Sequence, residues 1–300
     1  MRDESTHLLP SRESNPKLGN VMPWLFFRFE VGLTAKQSIR LPPFLGSVIY
    51  ATIAEAWHRA TGAAPQLPDD LWIEVGRSKK VSIEPGEQIM FALTTIQRSA
   101  VEMDDLLSQL QSGLVSVGAN GISGSILGGN FELTSLTHLP SRSTYRSQLP
   151  MPNLSLQDLF GDIDFIELRD DFRIRFDTPL RLQRMKSDIV AGHRYLDNDY
   201  FPINRFVTSL TQRLIRLRVI GEFDPKNAFD QPFILKRKLR WQEFRYGHSN
   251  SRKTFGGVTG EVELNGVSRE LGRILTVGQH FGVGELTRFG FGRYRVVPQL

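Results

Sequence analysis

Residues 24–31 read Trp-Leu-Phe-Phe-Arg-Phe-Glu-Val, an aromatic and β-branched run that predicts a strand. The order of elements after that run decides the fold. A Leu-Pro-Pro step at 41–43 leads into 46–60, where Val48, Ile49, Thr52, Ile53, Ala56 and Trp57 recur at helical spacing. Strands are expected at 71–75 and 88–96. A second helix is expected over 101–114, with Met103, Leu106, Leu107, Leu110 and Leu114 along one face. A glycine-rich stretch over 118–129 then runs into a strand at 131–136. The order is β-α-β-β-α-β, the ferredoxin-like unit.

The same order recurs downstream. Pro, Ser and Arg crowd the middle of the chain, and 141–160 reads as a linker. Strand material over 165–182 ends in Phe-Asp-Thr-Pro and gives way to a helix over 204–219. That helix carries Phe206, Val207, Leu210, Leu214 and Leu217 on one face. Residues 235–246 alternate as a strand, and 258–264 supply its hairpin partner. A short helix at 268–275 and a last strand at 294–297 complete the set. The chain is therefore expected to be α+β, with tandem ferredoxin-like (RRM-like, βαββαβ) domains. The first spans 21–140, the second 161–300, and a flexible polar terminus occupies 1–20.

Of the 300 residues, 40% are hydrophobic and 23% charged, ordinary usage for a chain that buries cores. Cysteine is absent. That excludes disulfides, thiol nucleophiles and Cys-held metals, and suits a reducing cytoplasm. No apolar run approaches the ~18–20 residues that cross a bilayer, and the first twenty lack the apolar segment of a secretory signal. A cytoplasmic protein with no membrane partner is expected. The acidic pairs Asp69-Asp70, Asp104-Asp105 and Asp170-Asp171 are neighbours in sequence, and their side chains do not converge on one ion. Neither a metal nor a cofactor is expected, and no Gly-x-Ser-x-Gly elbow supports a serine hydrolase.

Charge divides the chain. Residues 1–150 hold 13 basic and 14 acidic side chains, and residues 151–300 hold 24 and 18. The densest stretch is 236–253, where Lys236, Arg237, Lys238, Arg240, Arg245, Arg252 and Lys253 face Glu243 alone. Such a stripe suits a polyanion, since each neutralised phosphate releases a counterion; it also suits a solvated strand face. Trp241, Phe244 and Tyr246 interleave it, and rings among cations are what unpaired bases stack on. Near the C-terminus, residues 282–292 read Gly-Val-Gly-Glu-Leu-Thr-Arg-Phe-Gly-Phe-Gly. Mirrored glycine pairs (Gly282, Gly284, Gly290 and Gly292) predict a loop whose amides face phosphate oxygens, with Arg288 inside it and Arg293 just after.

These pieces, in this order, resemble the CRISPR-associated endoribonucleases of the RAMP superfamily, which cut precursor CRISPR RNA within its repeats. The terminal loop with Phe-Gly-Phe-Gly-Arg-Tyr at 289–294 is similar to that family's signature. So are Arg-Tyr-Gly-His-Ser-Asn at 245–250, Phe-Gly-Gly-Val-Thr-Gly-Glu at 255–261 and Phe-Asp-Thr-Pro-Leu-Arg-Leu at 176–182. Weaker echoes are Pro-Phe-Leu-Gly-Ser at 43–47 and the loop and strand over 121–131.

The resemblance implies a prokaryotic protein that binds a repeat stem-loop and cuts precursor crRNA without metal. The product would carry a 2′,3′-cyclic phosphate and stay bound as guide. Other subunits of a Cascade-like effector assembly are implied as further partners. It implies a histidine on the first helix as general acid or base. Glu55 stands where that histidine usually falls, so His58, three residues on, is the candidate, with Tyr50 as helper. RNA contacts fall to the basic stripe, to His248 and to the glycine loop. Glu285 occupies a loop position where some relatives carry a cation, which opens a second reading: a non-catalytic subunit holding the crRNA handle. A general RNA-processing factor is the third.

Overall fold

The computed structural model describes residues 24–75, 82–121, 127, 129–139, 143–144, 154–155, 171–184, 194–221, 232–246 and 253–297. The expected terminus at 1–20 lies outside them.

The first module runs β1 (Leu25–Ala35), α1 (Gly46–Thr61), β2 (Leu71–Glu74), β3 (Gln88–Gln97), α2 (Ala100–Asn120) and β4 (Phe131–His138). Its sheet is antiparallel with the order β2-β3-β1-β4. The second runs β5 (Phe172–Leu180), α3 (Ile203–Arg216), β6 (Phe233–Tyr246), β7 (Lys253–Asn265), α4 (Arg269–Gly278) and β8 (Tyr294–Val297). Its order, β6-β7-β5-β8, is the same arrangement. The fold is α+β with two ferredoxin-like modules in tandem, as expected.

Alternation along β1 explains its place. Phe27, Phe29, Val31 and Leu33 face one way into the first core with Ile49, Ile53, Leu107 and Leu110 of the helices. Helix α2 outruns its expected end at 114 and continues to Asn120. Glycine at 118 reads as a breaker in sequence, yet a Cβ there would lie 2.8 Å from the Phe131 carbonyl oxygen. The helix keeps going because β4 presses against it. Within the stretch expected as a linker, Ser143–Thr144 pairs with β4 and Leu154–Ser155 pairs with β1.

The two cores join. Phe26, Trp72 and Ile96 belong by sequence to the first sheet but pack in the second core with Phe206, Leu210 and Phe281. The Trp72 ring lies 5.5 Å from that of Phe281, and the half-buried Arg213 guanidinium sits 5.5 Å over it. Desolvation brings Arg213 down to about 10. Each large apolar side chain so buried contributes roughly 1.5–3 kcal/mol, enough to fix one module against the other.

Candidate nucleic-acid interface

The second sheet has one face against its helices and one face open. On β6, Leu239 and Trp241 turn to the helix side and pack on the core. Lys236, Lys238 and Arg240 turn the other way, opposite Glu263, Glu261 and Thr259 of β7. The next strands extend the rows. Arg173 and Arg175 of β5 lie beside Glu263 and Glu261, and Arg295 of β8 lies beside Arg175. With Asp177 the open face holds six cations against three carboxylates, so it stays positive.

Pairing on that face is loose. Arg173 meets Glu263 at 3.2 Å, Lys238 meets Glu261 at 3.8 Å, and Arg295 meets Asp177 at 2.8 Å. Exposed pairs of this kind contribute about 0–1 kcal/mol, so a phosphate can take the carboxylate's place. Lys236, Arg240 and Arg175 have no ion-pair partner among the described residues, and Arg237, expected as an RNA contact, lies on the other face of β6 in step with Leu239. Arg173, Arg175 and Arg295 were missed as site residues. Their signal was the polar–apolar alternation Phe-Arg-Ile-Arg-Phe-Asp at 172–177. Arg245 and Lys253 lie at the facing ends of β6 and β7. His248 and Arg252, in the turn between, fall outside the described residues.

Two of the aromatic residues expected to stack on bases pack within the protein, Trp241 on the second core and Phe244 in a cluster of rings; the Tyr246 side chain lies outside the described residues. Phe244 lies 5.2 Å from Phe44, 6.0 Å from Phe255 and 6.1 Å from Phe291, ring to ring. This cluster joins the entry to α1 with the open sheet and the terminal loop. Beside it the modules leave a cleft of about 400 Å³. Pro43, Phe44 and Val75 form one side, with Thr178, Pro179 and residues 240–244 on the other.

Part of the glycine loop is tied within the chain: Val283 N donates to Gly292 O at 3.0 Å, Glu285 N to Arg181 O at 2.8 Å, and Gly292 N to Pro179 O at 2.8 Å. Gly290 N donates to Thr287 O at 2.9 Å, and Arg293 N to Thr178 Oγ1 at 2.9 Å. Gly284 and Gly292 have φ of 87° and 72°, and a Cβ at Gly292 would stand 1.7 Å from the Val283 carbonyl oxygen. Left-handed backbone and close approach both demand glycine here. The mirrored pairs form a strap. It covers the edge strand β2, where a Cβ on Gly290 would lie 3.2 Å from Ile73 O, and it meets Gly46 at the start of α1.

The loop's charges are committed as well. Arg293 pairs with Glu74 of β2 at 3.0 Å, and Arg28 of β1 reaches the same oxygen at 2.6 Å. Thr94 Oγ1 donates to the other oxygen at 2.7 Å. Glu74 is only 8% exposed, so this junction between modules is held by a desolvated carboxylate. Arg288 pairs with Asp69, which is 75% exposed, so that contact is weak and exchangeable. Glu285 turns to Arg181, at 3.3 Å, and to Gln183. It therefore does not meet a phosphate approaching the loop. His280, just before the loop, stacks edge-on to Phe26 at 5.7 Å, and burial pushes it down to about 4.

The two expected catalytic residues do not converge. Tyr50 stands in the first half of α1, its ring 4.6 Å from that of Phe289 in the strap. His58 is exposed in the last turn, eight residues or about 12 Å further along the axis. Its Nδ1 lies 2.5 Å from Ala63 O, to which Nδ1–H donates. Glu55 is tied to Arg59 at 2.8 Å, and Arg59 in turn donates to Ser116 O and Gly121 O. Among the described residues no three His, Asp or Glu side chains gather as a metal site, and no helix is long and apolar enough to cross a membrane.

Residues 174–294 match the family model of the CRISPR-associated endoribonuclease Cas6. None of the curated proteins matches the chain. Among solved structures, one from a partial Cas6-RT-Cas1–Cas2 complex superposes with a TM-score of 0.64 at 15% identity. It covers 92% of this chain, which spans 46% of that one. A Cas6 product complex gives 0.56 at 16% identity, covering 91% of this chain and all of its own. The product of a Cas6-related gene from Pyrococcus furiosus gives 0.54 at 13%, covering 92% and all of its own. The resemblance drawn from the motifs at 176–182, 255–261 and 289–294 is borne out, and the double ferredoxin-like fold extends through the first module.

Proposed function

We propose that this chain binds the stem-loop of a CRISPR repeat and processes precursor crRNA as an endoribonuclease of the RAMP superfamily. The observation that carries the reading is the open face of the second sheet, where six cations outnumber three carboxylates and four of the six lie within the stretch 174–294 that matches the Cas6 model. Duplex phosphates lie along this face, with Lys236, Lys238 and Arg240 as principal contacts and the flanking strand entering the cleft between the modules. The reaction needs no metal. A base takes the proton from a 2′-hydroxyl, the oxygen attacks the adjacent phosphorus, and an acid protonates the departing 5′-oxygen, leaving a 2′,3′-cyclic phosphate. Tyr50, beside the strap, supplies the acid or orients the phosphate. His58 Nε2 serves as base only if the RNA strand follows α1 to its last turn. The upstream product remains on the basic face as guide, within an effector assembly.

One observation favours the second reading, a subunit that holds the crRNA handle without cutting. The position where the resemblance implies a histidine is Glu55, locked to Arg59. Sequencing the RNA that co-purifies with the protein identifies the repeat, and incubating that repeat with excess protein in EDTA separates the two readings. Cleavage with a cyclic phosphate on the upstream fragment, reduced ~10²-fold or more in Tyr50→Phe or His58→Ala, supports the enzyme and names its acid or base. Tight binding with no cut supports the subunit. RNA unrelated to CRISPR repeats, bound equally well, defeats both.

A further inference from the structure

The second sheet has a free edge that the reading of its open face leaves unused. β6 is the outermost strand of the order β6-β7-β5-β8, and its register with β7 is unbroken from Lys236 to Tyr246. The Trp241 amide donates to Asn198 Oδ1 at 2.6 Å, away from β7. Backbone groups of an antiparallel strand alternate between its two sides, so the amides and carbonyls of Arg237 and Leu239 face outward too. Among the described residues no backbone group pairs with them.

The side chains say what this edge accepts. On the open face, cross-strand rungs run Arg173, Glu263, Lys236 and Arg175, Glu261, Lys238, and then stop. Lys236 and Lys238 each have a carboxylate across the rung on one side and an open position on the other. A carboxylate in that position is stabilising and a like charge destabilising. Two copies of β6 set edge to edge would oppose lysine and arginine with lysine and arginine, so self-pairing is disfavoured. At the start of the strand Phe233 and Leu235 are 56% and 55% exposed. Large apolar surface beside an unpaired edge suits a protein segment rather than a phosphate backbone.

We propose that the outer edge of β6 takes up an extended segment of a partner protein as an added strand, with carboxylates at alternating positions facing Lys236, Lys238 and Arg240. Main-chain hydrogen bonds to Arg237 and Leu239 supply affinity, and the alternating acids supply specificity. The inference stands apart from the RNA reading; where both hold, the acidic strand and the RNA compete for the same cations.

The test uses the full chain and a fluorescein-labelled nonapeptide in which threonine alternates with glutamate, read by anisotropy. Two isomers carry N-methyl groups on two neighbouring amides of one alternating set, threonine in one and glutamate in the other, at equal charge. In an added strand one set faces β6 and the other faces solvent. One isomer is therefore expected to bind about 5- to 140-fold more weakly, the loss of two hydrogen bonds, and the other to bind as the parent does. Arg237→Pro removes an amide that faces away from the sheet, where proline is tolerated. It is expected to bind the parent about 2- to 12-fold more weakly than Arg237→Gln, which loses the same charge and keeps the amide. Equal binding of the two isomers overturns the added strand and leaves a charged surface only. No binding of the parent at low salt overturns the acidic partner and leaves the RNA reading standing. Self-association of the free chain that Arg237→Pro abolishes overturns the choice of occupant in favour of a second copy.

Discussion

Replacing Glu74 with glutamine tests whether the two modules are held together by one desolvated carboxylate. The side chain is 8% exposed and accepts from Arg28 Nη2 at 2.6 Å, Arg293 Nη1 at 3.0 Å and Thr94 Oγ1 at 2.7 Å. Glutamine keeps the volume but removes the charge and turns an NH2 group toward two guanidinium groups. Breaking a buried pair from one side costs about 3–5 kcal/mol. Arg28 and Arg293 retain 29% and 33% of their side-chain exposure, so water relieves part of the loss and about 2–3 kcal/mol is expected. The assay is urea unfolding at neutral pH of wild type, Glu74→Gln, Arg293→Gln and the double variant. Because Phe26, Trp72 and Ile96 sit in the second core, each protein should unfold in one transition. The double variant should lose clearly less than the sum of the singles, by at least ~0.5 kcal/mol. Additive losses, or a Glu74→Gln cost below ~0.5 kcal/mol, would refute the claim that this contact joins the modules.

Two further outcomes are expected. Burial holds His280 neutral, with its value pushed down to about 4 from 6.5, so the unfolded chain takes up the proton first as pH falls. The stability it contributes is fully present above about pH 6.5 and is lost on the way to about pH 4, by up to about 3 kcal/mol. His280→Leu should flatten that part of the urea-midpoint profile, and an unchanged slope would place its source elsewhere. For RNA binding, Lys236→Gln and Arg240→Gln should each lower the slope of log affinity against log salt by about 0.7–0.9. Arg293→Gln should leave the slope alone, since its charge is taken up by Glu74, and equal changes in all three would contradict the assignment of the open face.

Most of the fold was legible because the elements are amphipathic at the right period. The aromatic run of β1, the apolar stripe of α3 and the final strand at Tyr294–Val297 all fall where alternation or helical spacing puts them. The error at α2 has a definite cause. Gly118 signals a break by propensity, but tertiary contact with β4 overrides roughly 1 kcal/mol of unfavourable backbone preference. The candidate site was less legible. A basic run names its cations but not their partners, and Lys238 and Arg293 look alike in sequence. One reaches across a solvent-exposed rung at 3.8 Å, and the other closes on a buried carboxylate at 3.0 Å.

Glycines are ambiguous for the same reason. A residue that lets backbone approach a phosphate also lets backbone approach backbone, and only the hydrogen-bond partners decide between them. At 282–293 the partners of most amides are Arg181, Pro179, Thr178, Gly278 and the strap itself, so much of the motif's role is mechanical. It seals the edge of β2 and brings the N-terminal end of α1 against the second sheet. That contact gives the proposed RNA path two walls from different modules. Loss of the strap should therefore weaken RNA binding through module orientation, while loss of Lys236 or Arg240 weakens it through charge. Only the second effect changes with salt in the manner of a lost phosphate contact.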